Sequence, residues 1–352
     1  MSDSNLGSSA RVILITAAFV VVVAGIKASV DLMVPFLLSV FIATIALSPT
    51  VWLENRGVPG ALAISIVMVG ILIALVGLGA LVVQSGGAFT EKVPFYQERL
   101  TTLMNDSIAL LARYNIPIPG DLVSLINPGT ALTMAGSTLR GLGNALSNGL
   151  LILLTVIFIL GEAASFPKKL RHILNEPDGQ LPHFSQFAVN MNRYIVLKTS
   201  VSVVTGVVVS LYLMFLGVDF PILWGLLAFL LNFVPTIGSI IAAVPAVLVA
   251  LIQLGPLTAL FTVIGYLAVN LIMGNAVEPR FMGRGLGLST LVVFLSLVFW
   301  GWVLGPVGMI LSVPLTMTAK LAFEAHPDTL WLAILLGPPI EEPEVPQDEA
   351  AQ

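Results

Sequence analysis

The chain has 352 residues, 57% hydrophobic and 10% charged, with a formal net charge of −4 and a mean hydropathy of +1.01. Soluble domains carry about 25% charged residues, so this composition excludes a soluble globular protein and identifies a membrane protein. Cysteine is absent, which excludes disulfides and thiolate metal sites.

The hydrophobic runs are long enough for spanning helices, and none alternates apolar and polar residues as an outer-membrane strand does. The expected fold is therefore all-α, a polytopic helical bundle. Residues 12–30 form the first expected span, with Lys27 and Asp31 spaced either to pair at its far end or to sit separately in the headgroups. No small-residue cleavage site follows this run, so an uncleaved span is expected in place of a signal peptide. Residues 32–53 and 61–83 give the second and third spans, separated by the turn sequence Arg56-Gly57-Val58-Pro59-Gly60. These three spans make a first unit, residues 1–83.

From Gln84 the pattern changes. Residues 91–113 carry Val93, Tyr96, Leu100, Leu103, Ser107 and Leu111 at helical spacing with charges between them, as an amphipathic helix outside the bilayer does. A second helix is expected from about Pro128, with Leu132, Leu139, Leu142 and Leu146, leading into a fourth span at residues 150–160. Residues 84–148 are thus expected to be an extracytoplasmic helical module that packs on itself or on a neighbouring subunit. A helix lying on lipid is the alternative, although the module's acidic and basic residues balance and no polybasic anchor stands out.

A polar connection with Lys168, Lys169 and Arg171 precedes the fifth span, residues 194–216. Lys198 lies one turn inside it, where it either snorkels to the headgroups or meets a solute. The segments 221–253 and 289–323 pose a length problem. The first, at about 33 residues, would be about 50 Å long as one helix, against a hydrocarbon core of about 30 Å. Split at Pro235-Thr236-Ile237-Gly238, each arm is too short to cross. The second segment divides in the same way at Gly305-Pro306-Val307-Gly308. Re-entrant hairpins with tips at Pro235, Gly238, Gly305, Pro306 and Gly308 fit better than ordinary proline kinks in tilted spans, and paired broken segments point to a transporter site. The full count is about eight hydrophobic segments, six spans plus two broken hairpins, with residues 149–325 as the transport core. Residues 326–352 end in a Pro-rich acidic tail with Glu341, Glu342, Glu344, Asp348 and Glu349, expected to be solvated in the cytoplasm. The distribution of Lys and Arg puts both termini inside.

Between the two broken segments lies NLIMGNAVEPRFMGR, residues 270–284. An ionisable residue at membrane depth costs at least a few kcal/mol and is a functional candidate by default. Glu278 is suited to carrying a proton or cation. Arg280 would neutralise it or hold an anionic or hydroxyl-rich solute, and Asn232, Asn270 and Asn275 would supply amides to hydroxyls. The plainer alternative is a Glu278–Arg280 pair that merely caps a helix end. No phosphate loop, H-E-x-x-H or G-x-S-x-G sequence occurs, so ATP hydrolysis through a P-loop and the commonest intramembrane hydrolase chemistries are not expected. The scattered His172, His183 and His326 suggest no metal centre, and no cofactor, enzymatic activity or nucleic-acid partner is expected.

The stretches VPFLLSVFIA (34–43), YIVLKTSVSVVTG (194–206), WGLLAFLLNFVPTIGSIIAAVP (224–245) and GNAVEPRFMGRGLGLSTLVVFLSLVFWGWVLGPVGMILSVPL (274–315) resemble the autoinducer-2 exporter family of bacterial inner-membrane transporters. The family's shared residues correspond to Pro235, Gly238, Asn275, Glu278, Pro279, Gly305, Pro306, Gly308 and Pro314. The resemblance implies export of autoinducer-2, a small polyhydroxylated furanosyl signal, across an inner membrane by a homo-oligomer, a pentamer. Coupling to a proton or sodium gradient is the expected energy source. A cation/proton antiporter and a non-transporting oligomeric scaffold remain the competing readings.

Overall fold

The computed structural model describes residues 8–114, 149–163, 169, 182–235, 237–278, 280 and 287–339. The expected helix from Pro128, the cluster residues Lys168 and Arg171, and Pro279, Arg284 and the acidic tail lie outside the described residues. So does the side chain of Asn275.

Every described element is helical: α1 (Ser8–Ala28), α2 (Val30–Glu54), α3 (Gly60–Arg113), α4 (Gly149–Ala163), α5 (Pro182–Leu216), α6 (Pro221–Leu231), α7 (Ile237–Leu254), α8 (Pro256–Leu271), α9 (Thr290–Glu324) and α10 (Leu330–Leu336), with a π turn at Ile272–Val277 and a 3-10 turn at Pro327–Thr329. Among the described residues, six helices are long and apolar enough to cross a membrane: Val30–Glu54, Gly60–Asp106, Val189–Leu216, Ile237–Leu254, Pro256–Gly274 and Thr290–Glu324. The number matches the sequence expectation, but the membership differs. The apolar parts of α1 and α4 are shorter, and α7 and α9, each belonging to a broken segment, take their places.

α3 runs unbroken through Gln84, where the sequence changes character, and continues past Pro94. Its far half is held by tertiary contacts that local propensity does not reveal. Phe89 and Tyr96 are buried against Trp224, Leu213 and Val249 in the largest apolar core. A polar knot fixes the same end: Lys92 Nζ and Tyr96 Oη both donate to Asp219 Oδ2 at 2.8 Å. Gln253 Nε2 donates to the other carboxylate oxygen at 3.2 Å, and the Asp219 amide donates back to Gln253 Oε1 at 2.9 Å. Burial pushes the Asp219 carboxyl up, but hydrogen bonds from Lys92 and Tyr96 and the Lys92 charge outweigh this and leave it below the usual carboxylate range. The knot joins α3, the α5–α6 turn and the end of α7 at one level. Phe220 beside it takes a left-handed backbone conformation at φ 58°.

Both broken segments reverse direction. In the first, α6 is 11 residues and α7 is 18, about 16 Å and 27 Å long. Pro235 has no amide hydrogen to continue α6, and a Cβ on Gly238 would overlap the carbonyl oxygen of Leu231, so only glycine fits the return. In the second, Gly305 sits at φ 69°, ψ −153°, a region open essentially to glycine alone. A Cβ on Gly308 would overlap the Trp300 carbonyl, and Trp300 Nε1 donates to Thr316 Oγ1 at 3.0 Å. Those last two residues would be about 24 Å apart along a straight helix, so the chain folds back at Gly305-Pro306. Lys27, spaced to pair with Asp31, lies instead over the ring of Trp302, 3.8 Å from its centre, close to this tip.

Candidate functional site

The site is built from α5. Lys198, Ser202 and Thr205 stand at i, i+4 and i+7, on one face of the helix, and all three are buried. Val203, Val204, Val207 and Val208 are exposed on the other side, so α5 is polar inward and apolar outward. An ammonium group persists in an apolar bundle when it faces the interior and finds a partner. Glu278 is that partner: Lys198 Nζ lies 2.6 Å from its Oε1, with the two side chains only 7% and 22% exposed. Snorkelling does not describe this lysine.

Arg280 is exposed and does not pair with Glu278. Residues two apart on a helix point to nearly opposite sides, which explains why the cation nearer in sequence is not the one used. Glu278 comes immediately after the π turn Ile272–Val277. A π turn inserts about one extra residue and rotates the helix beyond it by about 100° relative to an uninterrupted α-helix. Gly274 and Asn275, both poor helix formers, lie within it.

Higher on the same face, Asn232 Nδ2 donates to Ser202 Oγ at 2.9 Å. Asn232 is the last residue before the α6–α7 break, so this bond ties the hairpin tip to α5. Beside it, a small cleft between α5, α6, α7 and α8 is lined by Thr205, Asn232, Ser239, Tyr266 and Asn270, with Val209 and Val269 as apolar walls. Tyr266 and Asn270 are one turn apart on α8, and Asn270 stands exposed at the rim. The cleft has room for about one water molecule.

Counted at 1.5 Å per residue from Asp219, Thr205 lies about 20 Å along α5 and Lys198 about 30 Å. Counted the same way from Pro256, next to the Asp219 knot through Gln253, Tyr266 lies about 15 Å along α8 and Asn270 about 20 Å. The cleft and the ion pair are therefore two levels of one polar face, about 10 Å apart. Of the residues expected from sequence, Asn232 and Asn270 line the cleft and Glu278 the lower level; Arg280 joins neither. Pro235 and Gly238, with Gly305, Pro306 and Gly308, form the two reversals. Ser202, Thr205, Ser239 and Tyr266 are not among the residues expected from sequence. The heptad-like spacing of Lys198, Ser202 and Thr205 is the signal that could have found two of them.

Close packing holds the frame. A Cβ on Gly206 would meet the Gly225 carbonyl oxygen at 2.7 Å and Phe229 Cβ at 2.8 Å, so α5 and α6 touch backbone to backbone. Gly265 on α8 receives the ring of Tyr212 from α5, whose hydroxyl donates to Phe261 O at 2.8 Å. Among the described residues, no group of three or more acidic or histidine side chains is arranged to hold a metal ion.

Comparison with known proteins is consistent with a membrane transport role. The AI-2E family transporter profile matches residues 14–328. The chain is 42% identical over 329 residues to the AI-2 transport protein TqsA of Escherichia coli K12, covering 93% of this chain and 95% of that protein. It is 40% identical over 330 residues to the putative transport protein YhhT of the same organism, covering 93% and 94%. A putative transport protein of Haemophilus influenzae is 38% identical over 334 residues, covering 93% and 96%. The matches are to transport proteins and not to enzymes, and the chain belongs to the AI-2E family of transporters.

Proposed function

We propose that the protein carries autoinducer-2 or a closely similar small polar solute across a bacterial inner membrane, along the buried polar face of α5. The observation that carries this reading is that face: a charged pair and a set of neutral hydrogen-bonding groups, enclosed by helices whose outer surfaces are apolar. Burying such groups is costly, so their presence at membrane depth marks a candidate path or binding site. The name of the E. coli relative TqsA supports the choice of solute.

Taking the Asp219 knot as one edge of a hydrocarbon layer about 30 Å thick, the cleft falls near mid-depth and the Lys198–Glu278 pair near the opposite edge. α6 and α7 then enter and leave by the same side, and both termini face the cytoplasm. The ion pair closes the cytoplasmic mouth, and a proton or sodium ion arriving at Glu278 releases Lys198 and couples opening to a gradient. Asn270, exposed at mid-depth on a single chain, would be sheltered from lipid by a neighbouring subunit of a homo-oligomer, the pentamer implied by family resemblance.

The test is transport in proteoliposomes with labelled autoinducer-2 and imposed proton or sodium gradients. Wild type is expected to show gradient-driven flux, reduced about tenfold or more in Glu278→Gln, which corresponds to about 1.4 kcal/mol of barrier. Equal flux in both proteins would remove Glu278 from the mechanism. Sodium-driven proton movement without autoinducer-2 flux would establish the antiporter reading instead.

A further inference from the structure

The hydroxyl of Tyr266 is buried without a hydrogen-bond partner, and among the described side chains it is the buried polar atom of which this is true. Tyr266 is 7% exposed, and it lines the mid-level cleft. A buried hydroxyl without a partner is unfavourable, so its retention calls for a reason. Around it stand two amides, Asn232 and Asn270, and two aliphatic hydroxyls, Thr205 and Ser239. Among the described residues, none lining the cleft is charged, and the charges of this face are those of the Lys198–Glu278 level.

We propose that this cleft is the binding subsite for a neutral, hydroxyl-rich solute, and that the Tyr266 hydroxyl, which no described protein group engages, makes a hydrogen bond to it. The assignment rests on the transport reading and adds to it the locus and the ligand class. The amides donate and accept, and Thr205 Oγ1, whose proton goes to Val201 O at 2.8 Å, still accepts; such a mixed set matches vicinal hydroxyls, which do both. A carboxylate or phosphate would require a cationic side chain that the cleft does not offer. Its walls, Val209 and Val269, suit the carbon face of a small ring.

The water-sized cleft is too small for such a ring, so the bound state requires the helices around it to separate. Close glycine contacts bind α5 to α6, α5 to α8 and, at Gly238, α7 to the end of α6. Opening therefore begins in the side-chain contacts around the cleft and not in these glycine contacts. Asn232 is the link, since its bond to Ser202 is replaceable by a solute hydroxyl.

The experiment compares purified wild type and Tyr266→Phe by equilibrium binding of labelled autoinducer-2, by thermal unfolding without solute, and by proteoliposome flux. The substitution keeps the ring and removes the unpartnered hydroxyl. The expected result is a split: the melting temperature holds or rises, while binding weakens about tenfold, the scale of one lost hydrogen bond. Asn270→Ala is expected to weaken binding as well, with Gly79→Ala as a remote control. Unchanged affinity in Tyr266→Phe, with wild type binding and transporting, would overturn this assignment while leaving the transport reading intact. Binding of sodium at the cleft with no polyol binding would overturn it too. Absence of autoinducer-2 binding and flux from wild type would instead defeat the reading on which the assignment rests.

Discussion

Lys198→Met is expected to destabilise the protein by about 3 kcal/mol, and the double variant Lys198→Met/Glu278→Leu by much less. Removing one member of a buried ion pair leaves the other charge desolvated and unpaired, which costs about 3–5 kcal/mol, whereas replacing both by apolar side chains is often close to neutral. The lower end applies because Glu278 retains 22% side-chain exposure and some access to solvent. Melting temperatures of wild type, both single variants and the double variant give the coupling directly. Additivity within about 0.5 kcal/mol would mean that the two residues do not act as a pair. The double variant is also expected to lose transport while keeping its fold, which separates the pair's functional role from its structural one.

The second large effect is expected at the two reversals. Gly238→Ala and Gly308→Ala each drive a methyl group into a backbone carbonyl oxygen, of Leu231 and Trp300 respectively. A backbone atom in a packed turn has no rotamer by which to escape, so the cost is the overpacking cost of about 1–3 kcal/mol or more. Gly305→Ala adds a different penalty, since φ 69° with ψ −153° is strained for any residue with a side chain. Gly79→Ala on α3 meets nothing within 4 Å and should stabilise its helix by up to about 1 kcal/mol. Thermal unfolding of the set distinguishes the cases. Equal melting temperatures for Gly79→Ala and Gly238→Ala would mean that the tip is not tightly closed.

These reversals were legible in the sequence because proline and glycine act locally. Pro235 interrupts a hydrogen-bond ladder and Gly305 supplies a backbone conformation closed to other residues, and neither effect needs a distant partner. The continuity of α3 was not legible. Gln84 begins a polar stretch that reads locally as the end of a span, yet Phe89, Tyr96 and Lys92 hold the helix against residues more than a hundred positions away. The ion pair shows the same limit more sharply. Glu278 was identifiable as a charge in an apolar setting, but its cation is 80 positions away, and the nearby Arg280 was the natural choice for any local rule. Tyr266 is not legible because an aromatic residue on an apolar helix looks like core, and only the structure reveals its hydroxyl as unpartnered.

The absence of cysteine from the sequence makes the central claim, that the inward face of α5 lines the solute path, directly accessible to labelling. Ser202, fully buried between the cleft and the ion pair, is replaced by cysteine in a variant first shown to transport. The measurement is its rate of modification by a membrane-impermeant thiol reagent, with and without autoinducer-2. The account predicts that the reagent modifies it, at a rate that autoinducer-2 changes in a concentration-dependent way. A transport-competent Ser202→Cys protein that the reagent never modifies, or modifies at a rate indifferent to autoinducer-2, would contradict it.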